Sequence, residues 1–232
     1  MRYLILFFIF IICQHSVLSQ EEPSTIVVDS IYKEDQLYVG MTYNLLVNRP
    51  SDINQSGFSS GFHLGFIKDM PINDKRNVAI GIGLGYSANS FNQNMLINKD
   101  DLGNFIYSVL NDENISYTKN KFSTHMVELP IEFRWRTSTP TEYKFWRVYT
   151  GFKLGYVFAH TTKFKGDLGD LKFSDVEDFN NFQYGLTMSL GYNTWNIHLY
   201  YALNPIFSSN AKLNDQVIDM NVIKIGLMFY IL

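Results

Sequence analysis

Beyond residue 13 the chain has no cysteine, and Cys13 itself falls in the apolar start of the sequence. A mature protein without cysteine has no disulfide staples, no thiol nucleophile and no cysteine-ligated metal. Long apolar runs are missing too. After residue 20 none approaches the roughly 20 residues that a spanning helix needs. Neither sign of charge dominates, since removing the expected leader leaves 18 basic against 22 acidic residues, and that balance excludes a nucleic-acid partner. No metal, cofactor or catalytic motif stands out, so no cofactor is expected.

Aromatics are plentiful, with 19 Phe and 15 Tyr. At the start, Met1-Arg2 is followed by an apolar run from Tyr3 to Cys13 and by Val17-Leu18-Ser19, the pattern of a signal peptide over 1–19. Cys13 is not read as a lipoprotein cysteine, because bulky Ile12 stands where a small residue would be expected. A short periplasmic segment is expected over 20–35 and one domain over 36–232. An exported, aromatic-rich chain without spanning helices is either a soluble β domain or an outer-membrane barrel.

Eight segments alternate apolar and polar residues at period two, which places the two sets on opposite faces of a strand. In "VELPIEFRWR", Val127, Leu129, Ile131, Phe133 and Trp135 oppose Glu128, Pro130, Glu132, Arg134 and Arg136. In "NVAIGIGLGYSAN", Val78, Ile80, Ile82, Leu84 and Tyr86 oppose Gly81, Gly83 and Gly85. Similar stripes start near Leu37, Phe58, Phe145, Phe182, Trp195 and Ile223.

Two features favour the barrel over a sandwich. Connections one, three, five and seven include all the long ones (48–57, 90–121, 165–180, 206–220), while 69–77, 137–144 and 193–194 are turns. Short periplasmic turns and long external loops give that parity in an eight-stranded antiparallel transmembrane β-barrel, whose apolar face meets lipid. The closing "KIGLMFYIL" also carries Lys224, Gly226, Phe229 and Ile231 in the spacing of the C-terminal signal read by the outer-membrane assembly machinery. The expected location is therefore the bacterial outer membrane, with its lipid and that machinery as partners.

By parity, Glu128, Glu132, Arg134, Arg136, Arg147, Lys153, His198 and Lys224 face the lumen, with Tyr149, Tyr200 and Tyr230. An eight-stranded barrel is just wide enough for side chains to fill. Buried acid and base there should pair, so a salt-bridged plug is expected rather than a pore. A second reading gathers Arg134, Arg136 and Arg147 at the periplasmic mouth as a basic contact for an acidic partner. Trp135 and Trp146 suit an interfacial girdle. In "KDDLGNFIYSVLNDE", Asp100 or Asp101 caps an expected short helix carrying Leu102, Phe105, Ile106, Val109 and Leu110. The acids Asp167, Asp170, Asp175, Glu177 and Asp178 fit no calcium loop and read as solvated. His125 and His160, with Ser123 or Thr124 near, are the residues a rim enzyme would use, but no motif ties them together.

The block "VELPIEFRWRTSTPTEYKFWRVYTGFKLGYVF" resembles the PorT family of small outer-membrane barrels, called SprT in gliding bacteria of the Bacteroidetes type. Carrying the likeness are Glu128-Leu129-Pro130, Arg134-Trp135-Arg136, Lys144-Phe145-Trp146-Arg147 and Gly151-Phe152-Lys153, with "YVGMTYNLLV" and the third-strand glycines in agreement. This resemblance implies a non-enzymatic part in the type IX protein secretion and gliding machinery, alongside its other components, in assembly or scaffolding rather than as the conducting channel. The alternative is a generic small barrel with an envelope-structural or external ligand-binding role.

Overall fold

The computed structural model describes residues 34–110, 115–137 and 145–231. The expected leader, most of the N-terminal segment, Lys144 and most of the turn "TSTPTEYK" lie outside these residues. Thirteen strands run in chain order: β1 Gln36–Val47, β2 Ser60–Pro71, β3 Val78–Asn92, β4 Met95–Lys99, β5 Phe105–Val109, β6 Tyr117–Arg136, β7 Trp146–Gly166, β8 Gly169–Phe173, β9 Phe182–Tyr192, β10 Trp195–Ala202, β11 Lys212–Leu213, β12 Gln216–Val217 and β13 Asn221–Ile231. Eight of them close a ring in the order β1, β2, β3, β6, β7, β9, β10, β13, every neighbour antiparallel. The barrel has no free edge, the arrangement that lets a sheet cross lipid with its backbone groups paired; the β3–β6 ladder skips Gly83 and Leu84, opposite Leu129 and Pro130, which has no N–H to donate.

Alternation fixes which face is outside. Met41, Leu84, Phe133, Leu186 and Ile197 stay exposed to the surroundings, while Tyr38, Glu132, Arg134 and Lys224 are buried. In lipid this outer apolar face is solvated by acyl chains, and the inner face must pack against itself. From Trp135 to His125 along β6, ten steps of about 3.3 Å at a tilt near 40° give an apolar band of about 25 Å. At the short-turn end the belt closes with Trp146 tilted against Tyr192 at 5.1 Å and Trp195 edge-on to Phe229 at 5.2 Å. At the opposite end lie Tyr86, Phe158 and His125, where the Tyr86 hydroxyl meets His125 Nδ1 at 2.7 Å.

Inward glycines make room for the lumen's large side chains. A Cβ on Gly65 or Gly85 would run into the Tyr38 ring and hydroxyl, and one on Gly81 would press on Arg134. The glycine repeat of β3 therefore marks where bulky residues of neighbouring strands cross the lumen.

Above the barrel the long connections fold into a cap. Leu46, Ile53, Phe91, Met95, Tyr107, Phe122, Phe179, Phe207, Ile218 and Met220 share one buried apolar cluster. The helix expected around Leu102 to Leu110 is a β-hairpin instead, β4 paired with β5. Asp100 caps a turn rather than a helix: its Oδ1 accepts from the backbone N–H of Leu102 and of Asn104, while Gly103 takes a left-handed φ of +88°. Alternation of Phe105, Tyr107 and Val109 toward the cap overrides the helical spacing and leaves Leu102 exposed. Asn214 and Asp215, both at positive φ, supply the two-residue turn between β11 and β12.

Candidate functional site in the barrel lumen

The lumen is packed in two polar layers beneath the apolar cap. Nearest the short turns, Arg134 and Arg136 of β6 meet Asp69 of β2 and Glu34. Asp69 accepts from Arg136 Nη1 and Nη2 at 2.8 and 2.7 Å, and from Arg134 Nη1 at 3.1 Å. Arg134 also donates from Nε to Glu132 at 3.1 Å and from Nη2 to Gln36 at 2.9 Å. Glu34 Oε1 lies 3.6 Å from Arg136 Nε, and its backbone N–H donates to Asp69 at 3.3 Å. Tyr149 closes the layer from the side, with the Arg134 guanidinium 4.5 Å from its ring centre.

Arg147 lies opposite Arg136 in the strand register and rests on Phe145 at 4.5 Å. Its Nε and Nη1 are buried and donate to no acceptor among the described residues. Three arginines thus face three carboxylates, Glu34, Asp69 and Glu132, and all six are buried. Desolvating charges is expensive, and bidentate, multiply hydrogen-bonded pairing is the geometry that offsets the cost.

The second layer centres on Glu128. Lys153 approaches it at 3.0 Å and His63 at 3.6 Å. His63 Nε2 lies 3.1 Å from Thr42, which donates to Asn44 at 2.9 Å. On the far wall Ser189 meets His198 Nδ1 at 2.7 Å and the Tyr230 hydroxyl at 3.3 Å. Lys224 sits over the Tyr200 ring at 5.0 Å. Between this layer and the cap lies a cavity of about 20 Å³ bordered by Asn89, Thr124, Gln183 and Lys224. It is large enough for about one water.

All eight charged or titratable residues expected at the lumen are buried there, and the structure divides them between the two layers. Of the residues in the basic-mouth reading, the Arg136 guanidinium is fully buried and committed to Asp69 and Glu34, Arg134 is bonded to Asp69 and Glu132, and Arg147 is buried on Phe145. Lys224 of the C-terminal signal faces the lumen, Phe229 the outer wall beside Trp195, and Ile231 is exposed. Gly226 lets the β1 backbone at Met41 and Thr42 pass close by.

Three partners went unread in the sequence. Asp69 lies in the expected turn 69–77, Glu34 in the expected periplasmic segment 20–35, and His63 in the stripe that starts near Phe58. The signal was the odd-numbered parity of β2, which continues from Gly61 through His63 and Gly65 to Asp69; inward Ile67 hid it.

The rim histidines do not form a common site. His125 faces outward beside Tyr86, whereas His160 faces inward and stacks on Phe179 at 4.5 Å. Four of the five loop acids have separate duties, and Glu177 is exposed. Asp167 accepts from the Ser116 N–H, Asp170 pairs with Lys165, and Asp178 accepts from the Tyr107 hydroxyl at 2.7 Å. Burial raises the Tyr107 phenol above its ordinary value, with Asp178 adding to the effect. The Lys99 ammonium, bonded to Asp175 at 2.9 Å, holds that carboxyl below the usual carboxylate range.

A family model for the outer membrane protein beta-barrel domain matches residues 18–208. Comparison with curated proteins gives no match. Among solved structures, the attachment invasion locus protein Ail of Yersinia pestis, in complex with the heparin analogue sucrose octasulfate, is 13% identical over 87% of this chain and 100% of that chain, with a TM-score of 0.36. A second Ail structure gives 14% identity, the same coverage and a TM-score of 0.34. A protein engineered for asymmetric conductivity gives 10% identity over 86% of this chain and 100% of that chain, with a TM-score of 0.22.

Proposed function

The chain belongs to the outer membrane protein beta-barrel domain family, and from that premise we propose that it is a non-conducting, non-enzymatic component of the type IX secretion machinery, acting in assembly or scaffolding of the translocon. It resides in the bacterial outer membrane. The observation that carries the scaffolding half of this reading is the filled lumen, where the Arg134, Arg136 and Asp69 layer, the Glu128 and Lys153 layer and the Phe207 cap succeed one another along the axis. A barrel so filled has no passage for a protein and no room for a substrate beside Ser189 and His198. What supports the secretion half is the resemblance of the Val127 to Phe158 block to the PorT family.

Its work then falls to surfaces: the lipid-facing wall, the short-turn end and the cap. The test is a clean deletion with envelope integrity controlled. Proteins that carry the C-terminal sorting domain should vanish from the medium and accumulate inside the cell. Unchanged export overturns the secretion reading.

One observation favours the second reading, an external ligand. The β4–β5 and β11–β12 hairpins leave an open cleft between them, lined by Phe105, Tyr107, Lys212 and Asp215. Under that reading export is normal without the protein, and variants of the cleft carry the phenotype.

A further inference from the structure

Five lysines form a ladder on the outward face of β6, β7 and β8, above the apolar belt. The register sets Lys119 opposite Lys165, Lys121 opposite Lys163, and Lys163 in turn opposite Lys172. Directly opposed residues of antiparallel strands share a face, and like charges placed so repel one another. A bulge makes the arrangement. His125 pairs with Ala159 but Met126 with Val157, so Phe158 is the extra residue, and beyond it the odd-numbered positions of β7 point outward. Without that bulge Lys163 and Lys165 would face the lumen.

The other face of the same ribbon is committed. Phe164 is buried with Leu96 and Leu110, and Leu171 packs against them, so the lysines have no inward alternative. Asp170 approaches Lys165 at 3.5 Å on an exposed edge. Among the described residues no carboxylate lies within ion-pair distance of Lys119, Lys121, Lys163 or Lys172. Four positive charges, each directly opposite another lysine, therefore lack a counter-charge among the described residues.

Height identifies the counter-charge. Lys121 and Lys119 lie four and six residues beyond His125 of the outer aromatic girdle, which places them about 10 to 15 Å above it. The ladder faces sideways along the wall that continues Val127, Tyr156 and Phe158, not upward into solvent. A lipid whose acyl chains coat those residues brings its own headgroup to the lysines. We propose that the ladder binds the phosphate groups of the anionic glycolipid of the outer leaflet and so anchors the rigid β6–β7–β8 ribbon in the headgroup layer. This rests on the outer-membrane placement alone and is independent of a part in secretion.

The test titrates the intact detergent-purified protein with lipid A, with dephosphorylated lipid A and, in a separate arm, with a soluble sulfated polysaccharide. Lipid A should bind in a salt-dependent way. Replacing the five lysines by glutamine should weaken binding on the order of 100-fold, since each charge near such a surface adds to the attraction. The five Lys→Arg replacements should retain it, and Lys68→Gln with Lys75→Gln at the short-turn end should leave it unchanged. Heat-modifiable migration on gels reports folding. If the fivefold glutamine variant does not fold, the pair Lys121→Gln and Lys163→Gln should still give a loss of about 10-fold. Equal binding of dephosphorylated lipid A, or an unaltered affinity in folded glutamine variants, overturns the proposal. Tighter binding of the sulfated polysaccharide than of lipid A overturns it as well and assigns the ladder to a soluble polyanion.

Discussion

Asp69 accepts both terminal nitrogens of Arg136, at 2.8 and 2.7 Å, and neither side chain is exposed. The two residues come from opposite sides of β3, and Asp69 also holds Arg134. One carboxylate therefore ties two guanidinium groups across the barrel.

Asp69→Asn should be among the most damaging single changes in the lumen, because it leaves two buried arginines short of charge. Breaking such a pair from one side costs about 3 to 5 kcal/mol. Thermal unfolding followed by the loss of heat-modifiable gel migration should show a clearly lower midpoint. Replacing the ion pair with apolar side chains, Asp69→Leu with Arg136→Met, should recover much of the loss. A variant pair no more stable than Asp69→Asn alone would count against ion pairing as the source.

Gly85→Ala tests the space given to Tyr38. The new methyl group would meet the Tyr38 hydroxyl, and overpacking of this kind costs about 1 to 3 kcal/mol. Adding Tyr38→Phe removes the nearest atom and should restore part of the unfolding midpoint. No rescue would mean that the carbonyl of Leu64, also close to the methyl, decides the outcome.

Period-two alternation made the barrel legible because lipid and a filled lumen impose opposite demands on successive residues. β9 and β10 begin where the sequence places them, at Phe182 and Trp195. Lumen charges on β6 and β7 were legible for the same reason. Their partners were less so. Asp69 sits after inward Ile67, which interrupts the polar stripe, and its role depends on strand order rather than on local pattern. β6 starts at Tyr117, ten residues before the stripe at Val127, because above the membrane the outer face turns to Lys119, Lys121 and Ser123 and no longer alternates apolar with polar. The hairpin at Met95 to Val109 was hidden by helical spacing that happens to fit Leu102, Phe105 and Ile106; Gly103 in its turn was the contrary signal.

Phe207→Ala should loosen the cap without opening the barrel wall. Phe207 packs on Phe179 at 4.6 Å, Phe122 at 5.6 Å and Tyr107 at 6.0 Å, so its removal leaves a cavity worth about 3 to 5 kcal/mol. Limited proteolysis should cut within 203–220 in the variant and spare the wild type. Because both polar layers remain, planar-bilayer recordings of the variant should still show no steady conductance. Steady current would place the seal in the cap rather than in the layers below.

The cap should also respond to acid at one point. Asp175 is held below its ordinary value of 3.8 by its bond to Lys99, which joins the stretch after β8 to the β4–β5 hairpin. A carboxylate with a lowered folded pKa contributes stability that is present above the ordinary value and lost as the pH falls through the lowered one. Amide hydrogen exchange in Met95 to Val109 should therefore be flat from neutral pH down to about pH 5, after correction for the intrinsic rate, and accelerate below about pH 4. Asp175 is exposed and Lys99 only half-buried, so the effect should be small and should shrink in high salt. In Asp175→Asn the acid-dependent part should disappear. An unchanged acid response in that variant would move the sensitivity to the buried carboxylates of the lumen.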